Sequence, residues 1–138
     1  MFFLPVLLAP FQDRVVVELP PPKHRVVIEV NVSGTIPYGV VLNNAANLRK
    51  AFAPEPVRIE IVCHGAGLDL LLKRLNPLAT RVSALAKVGV MFAACGNTVR
   101  GRHLSKTKLL PFVRIVPSGV TEVVRRQEAG WSYLKGAF

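Results

Sequence analysis

VGVMFAACGNT, residues 88–98, decides the fold of this chain. Its apolar run from Val88 to Ala94 is short, rich in β-branched and aromatic residues, and lacks the polar alternation of a half-solvated strand. That pattern predicts a strand buried on both faces, as in a parallel sheet. The run ends in Cys95, Gly96 and Asn97, where the strand gives way to a loop or helix. In open α/β sheets the carboxyl edge of the strands is where sites collect. A thiol at a helix N-terminus has its thiolate stabilised by the unpaired N–H groups there. The stretch thus supplies a strand and, at its end, a candidate reactive atom.

Moving outward, strands and helices alternate. Residues 57–63 (VRIEIVC) read as a strand, followed by the loop His64-Gly65-Ala66-Gly67. Residues 25–30 (RVVIEV) and 112–116 read as further strands, and Trp131, Tyr133 and Leu134 as a last short one. Val41, Ala45, Leu48 and Phe52 recur at helical spacing after Pro37, which suits a first helical turn. A short helix is expected over 68–74 and another from Asn76-Pro77 to about Lys87. Ser118 is a candidate cap for a helix over about 119–129, with Glu122 in its first turn and Gly130 past its end. The alternation predicts an α/β fold with a largely parallel sheet and right-handed crossovers.

The chain has 138 residues, 51% of them hydrophobic and 19% charged, which suits one domain with a substantial core. Residues 1–24 form an apolar extension ending in a triproline linker, and 25–138 the α/β domain. The opening MFFLPVLLAPF is broken by Pro5 and Pro10 and has no Lys or Arg before it. It therefore reads as an apolar arm rather than a secretory signal or a membrane span. Residues 14–19 (RVVVEL) nearly copy 25–30. The arm is expected to help hold a homo-oligomer together, since its large apolar side chains would be costly in water.

The formal net charge is +10, and no acidic residue occurs from Leu70 to Thr121. Cys95 lies inside that stretch. A cationic surface there would lower a thiol pKa and attract small anions, with Arg100 and Arg102 as candidate holders of a sulfur oxyanion or a partner carboxylate. Nucleic acid is a poor partner, because no aromatic residues interleave with the basic ones. Two cysteines, Cys63 and Cys95, are too few for a disulfide scaffold or a zinc site and lack CxxC spacing. Reduced thiols and a cytoplasmic location are expected, with no metal and no cofactor. Cys63 is an auxiliary candidate, as a resolving thiol on the same sheet edge; packing is the plainer role for it. His64 is a candidate for polarising a thiol or binding an anion. Asn97 and Thr98 suit capping. Arg125 and Arg126, with Glu122 and Glu128 nearby, read as a salt-bridged helix face, and Trp131 and Tyr133 as packing residues.

Four segments together resemble the DsrE/DsrF-like family, named for intracellular sulfur oxidation. They are Leu42-Asn43-Asn44-Ala45 with Asn47-Leu48, VRIEIVCHGAG (57–67), ACGNT (94–98) and VPSGVTEVVRRQEAGWSY (116–133). The resemblance implies a three-layer α/β/α sandwich on a five-stranded parallel sheet of order 4-3-2-1-5. It implies a homo-oligomer, a trimer or hexamer. It also implies a sulfur carrier or sulfurtransferase that holds sulfane sulfur as a persulfide on Cys95 and hands it to an acceptor protein. The alternative within the same fold is a non-catalytic scaffold or a small-anion-binding subunit.

Overall fold

The computed structural model describes residues 19–137. The apolar arm, and all of the strand expected over 14–19 except Leu19, lie outside the described residues. Five strands form one sheet: β1 (His24–Val30), β2 (Val57–Cys63), β3 (Met91–Cys95), β4 (Arg114–Val116) and β5 (Ser132–Lys135). Every pairing is parallel and the order is β4-β3-β2-β1-β5, as the family resemblance implies. The helices are α1 (Thr35–Phe52), α2 (Ala79–Lys87), α3 (Gly96–Gly101) and α4 (Gly119–Glu128).

Side chains alternate across a strand, so each strand feeds two layers. Ile28, Ile59, Ile61, Cys63, Phe92 and Ala94 point to one face, where Val41, Leu42 and Ala45 of α1 and Val82 of α2 meet them. Each large aliphatic side chain fully buried there contributes about 1.5–3 kcal/mol. The opposite face is smaller. Val27, Val62, Ala93 and Val116 pack against Val123 of α4 and against Trp131.

Three local expectations are revised. The helix expected over 68–74 is a 3₁₀ turn at Gly65–Leu71, starting earlier because His64 already leaves the strand. The helix expected from Asn76 begins at Ala79. Asn76 instead closes a turn: its side-chain N–H donates to the carbonyls of Leu70 and Leu72, and its Oδ1 accepts the Leu78 N–H. The strand expected from Val88 begins at Met91, because Val88 closes α2 and stands exposed and Gly89 turns the chain at φ 99.

Residues 119–128 form α4 as expected, with the Ser118 hydroxyl accepting the Thr121 N–H at 3.3 Å. Its polar face is not simply solvated. Arg126 turns inward to pair with Glu60 of β2, a carboxylate with 0% exposure. Arg114 of β4 joins the same cluster at 3.0 Å from Glu60 and 3.1 Å from Glu122, and Arg126 lies 3.1 Å from Glu122. The Arg126 guanidinium also stacks 4.5 Å above the Trp131 ring. Burial pushes the Glu60 pKa up, aided by the nearby Glu122 and opposed by Arg126 and Arg114. The cluster ties α4 to β2 and β4, and so sets where its N-terminus lies.

Candidate functional site

Cys95 closes β3 opposite Val116 and immediately precedes α3. It is 4% exposed. Burial acts to raise its pKa. Against that, the nearby Gly119 N–H, the Thr98 hydroxyl and the N–H groups of Thr98 and Asn97 favour the thiolate, and the pKa falls below the ordinary thiol value. The donors come from two helix starts, α3 and α4, whose first N–H groups have no partner within the helix. The Thr98 hydroxyl is aimed by a second contact: its oxygen accepts the Gly65 N–H at 2.9 Å, which leaves its proton for the sulfur.

Position 119 is tight for anything larger than glycine. A Cβ there would lie 3.0 Å from the His64 Cβ and 3.1 Å from the Cys95 Cβ. The contact also shows that His64 and Cys95 leave their strands side by side against the start of α4. The His64 Nε2 lies 3.4 Å from the Glu29 carboxylate, an ion-pair distance too long for a well-formed hydrogen bond. Tyr133 of β5 donates its hydroxyl to Glu29 at 3.3 Å, and burial together with that carboxylate raises the tyrosine pKa.

An open depression of about 420 Å³ adjoins the thiol on its Thr98 side, lined by Ser33, Gly65, Ala66, Asp69, Thr98 and Arg102 among others. Arg102 is held 2.7 Å from Asp69. Below, Tyr38 donates to the Ala66 carbonyl at 3.0 Å; burial and the Asp69 carboxylate push its pKa up to about 12, so it remains a donor.

The candidates are therefore divided. Cys95, His64 and Asn97 converge, Asn97 through its backbone N–H. The Asn97 side chain accepts from Arg100, which is directed along α3. Arg102 opens on the adjoining depression. Cys63 is not part of this group. It ends β2 with 0% exposure and points into the α1 face, and burial drives its pKa far up. The two thiols share a sheet edge but lie on opposite faces of the sheet. Gly119, Glu29, Tyr133 and Asp69 were not legible as site residues. The signal for Gly119 was its place after a capping serine, in a segment that had to return to the carboxyl edge. Among the described residues no group of three or more His, Cys, Asp or Glu could hold a metal ion.

The model of the DsrE/DsrF-like family matches residues 33–135, a span that takes in the thiol, His64 and the start of α4. This chain belongs to the DsrE/DsrF-like family. Among solved structures it is similar to MTH1491, a protein of unknown function from Methanobacterium thermoautotrophicum. The identity is 37% and the TM-score 0.70, over 81% of this chain and 98% of that one. The ychN protein of E. coli has the same fold, at 18% identity and a TM-score of 0.64, with the same coverage of each chain. No curated protein matches. No helix among the described residues is long and apolar enough to cross a membrane.

Proposed function

We propose that this DsrE/DsrF-like protein carries sulfane sulfur as a persulfide on Cys95 and passes it to an acceptor protein. The observation that supports the reading is that the starts of α3 and α4 both meet Cys95, where their N–H groups and the Thr98 hydroxyl favour its thiolate. The thiolate attacks the terminal sulfur of a donor such as a polysulfide. One S–S bond forms at Cys95, the donor's S–S bond breaks, and the donor leaves as a thiolate with the electron pair. In the second step an acceptor thiolate attacks the outer sulfur, and Cys95 departs as a thiolate. A depressed pKa makes it the better leaving group, so the same donors serve both steps.

His64, beside the thiol and paired with Glu29, is the proton carrier for the exchange. The depression with Thr98 and Arg102 receives small sulfur anions. In this reading the protein works in a reducing, cytoplasmic setting, as a homo-oligomer that uses Val120 and Val124, an exposed apolar pair one turn apart on α4.

Incubation with polysulfide followed by intact-mass and peptide analysis tests the proposal. The expected product carries one extra sulfur on Cys95, is lost in Cys95→Ser and is kept in Cys63→Ala. A second reading, an anion-binding or scaffolding subunit, draws on the low exposure of Cys95. It prevails if no sulfur adds while sulfate raises the melting temperature above that in chloride at equal ionic strength.

A further inference from the structure

Beyond the 3₁₀ turn Gly65–Leu71, the chain forms a small clasp that the sulfur chemistry does not use. Leu72 pairs with Leu109 in an antiparallel bridge, the Lys73 N–H donates to the Lys108 carbonyl at 2.9 Å, and the Leu110 N–H donates to the Leu71 carbonyl at 2.9 Å. Between the two arms of the clasp lies a hollow of about 410 Å³. Leu72, Leu75 and Leu104 form its apolar lining, and Lys73, Arg74 and Lys108 its rim. None of the ion pairs among the described residues uses Lys73, Arg74, Lys106 or Lys108.

Leu75 stands out twice. Its side chain is 101% exposed, and its backbone is left-handed, with φ 55. A non-glycine residue rarely takes that conformation, and asparagine takes it more readily than leucine. The folded chain gains neither burial nor backbone comfort from leucine here. The turn around it is nonetheless fixed, because Asn76 bonds the carbonyls on either side of Leu71 and the N–H of Leu78. A rigid turn thus presents an apolar side chain to water beside an apolar hollow ringed by free cations.

We propose that this hollow docks an acidic, amphipathic segment of a partner protein. A large apolar side chain of the partner enters against Leu72, Leu75 and Leu104, and flanking carboxylates meet Lys73, Arg74 and Lys108. Charge complementarity favours this occupant: every charged residue lining the hollow is cationic, and Leu72, Leu75 and Leu104 beside them call for an apolar side chain that a phosphate chain lacks. Single-stranded nucleic acid would also want aromatic platforms, and none lines the hollow. The proposal is independent of the chemistry at Cys95 and stands if no persulfide forms.

The test is titration of the full chain with a short fluorescent peptide of Asp and Glu around a central Phe, with ¹⁵N-resolved amide shifts read alongside. Shifts are expected at residues 72–75, 104 and 106–108. Replacing the Phe by Ser should weaken binding about tenfold, the scale of one well-buried aromatic anchor. The Leu75→Asn change should weaken binding about fivefold while leaving the melting temperature equal or higher. The pair Lys73→Glu and Lys108→Glu should reduce binding by more than about tenfold. The proposal is overturned if the Ser peptide binds equally well or if no peptide binds. It is equally overturned if an oligonucleotide of matched charge binds tighter, if Leu75→Asn lowers the melting temperature, or if the same shifts arise from self-association alone.

Discussion

Cys63 and Cys95 end neighbouring parallel strands, yet their environments differ in every respect that matters to a thiol. Cys63 faces the larger core, touches aliphatic side chains, and is held neutral by burial. Cys95 faces the smaller layer, where two helices begin and their N–H groups converge on its sulfur. Burial opposes ionisation at both. Only at Cys95 do hydrogen bonds to the charged form outweigh it. Sheet-edge position therefore does not make a reactive cysteine; the layer into which its strand directs it does.

Alkylation of the native protein at mildly acidic pH should separate the two thiols most strongly. Cys95 should label on the order of a thousandfold faster than Cys63, which becomes reachable only through opening of the core. Peptide mass spectrometry reads the ratio, and equal rates would erase the distinction.

Gly119→Ala tests the helix N-terminus. Its methyl group must displace His64, Cys95 or the start of α4, at roughly 1–3 kcal/mol of stability. The Cys95 pKa should rise toward the ordinary thiol value and its alkylation at pH 6 slow about tenfold, with Cys63 unchanged.

Thr98→Val is subtler. It removes one donor to the sulfur and leaves the Gly65 N–H without its acceptor. A loss near 1 kcal/mol is expected, with a fewfold slower reaction at Cys95. Thiolate absorbance against pH should show the midpoint displaced upward.

The smallest effect is in alkaline stability, and the two cysteines should differ in sign. Cys63 has a raised pKa in the fold, so its contribution is complete below the ordinary thiol pKa and is lost as pH rises above it. Cys95 has a lowered pKa, so its contribution is present above the ordinary thiol pKa and fades as pH falls through the depressed value. Thermal melts should therefore fall less steeply above pH 9 in Cys63→Ala than in the parent, whereas Cys95→Ala should differ in slope only below pH 9, where it lacks the parent's gain in stability between the depressed thiol pKa and the ordinary one. For Cys63 the difference is about 1.4 kcal/mol for each pH unit above the ordinary thiol pKa.

The sheet was readable because its strands carry the signal locally. VRIEIVC alternates β-branched with charged residues and MFAAC is a short apolar run, though the strand expected from Val88 starts only at Met91, and Ser118 marks the start of α4 in its own hydroxyl. Cys95 was readable for the same reason, as a strand end. Its donors were less so, since the Gly119 N–H arrives from a helix more than twenty residues away. The electrostatics were least legible. A stretch without acids suggested a bare cationic edge, but the fold brings Asp69 onto Arg102, and Glu60 and Glu122 onto Arg114. Arg126 read as part of a salt-bridged helix face, and it does pair with Glu122, but nothing in its own segment discloses that β2 presents Glu60 beneath it. The 3₁₀ turn was mistaken for a helix because Leu68, Leu70, Leu71 and Leu72 are apolar in either conformation.

The buried carboxylate of Glu60 has a consequence for alignment. A lone helix on a small greasy patch can roll about its axis, because one aliphatic contact is much like the next. Paired charges are not interchangeable in that way. With Arg126 locked onto β2 near one end of α4, the helix has a single angular setting, and at that setting its first amide points at sulfur. The carboxylate end of the lock lies away from solvent, so added salt loosens it less than a surface pair. The tuning of a thiol at the rim is thus keyed from the middle of the sheet, by a residue that never touches it.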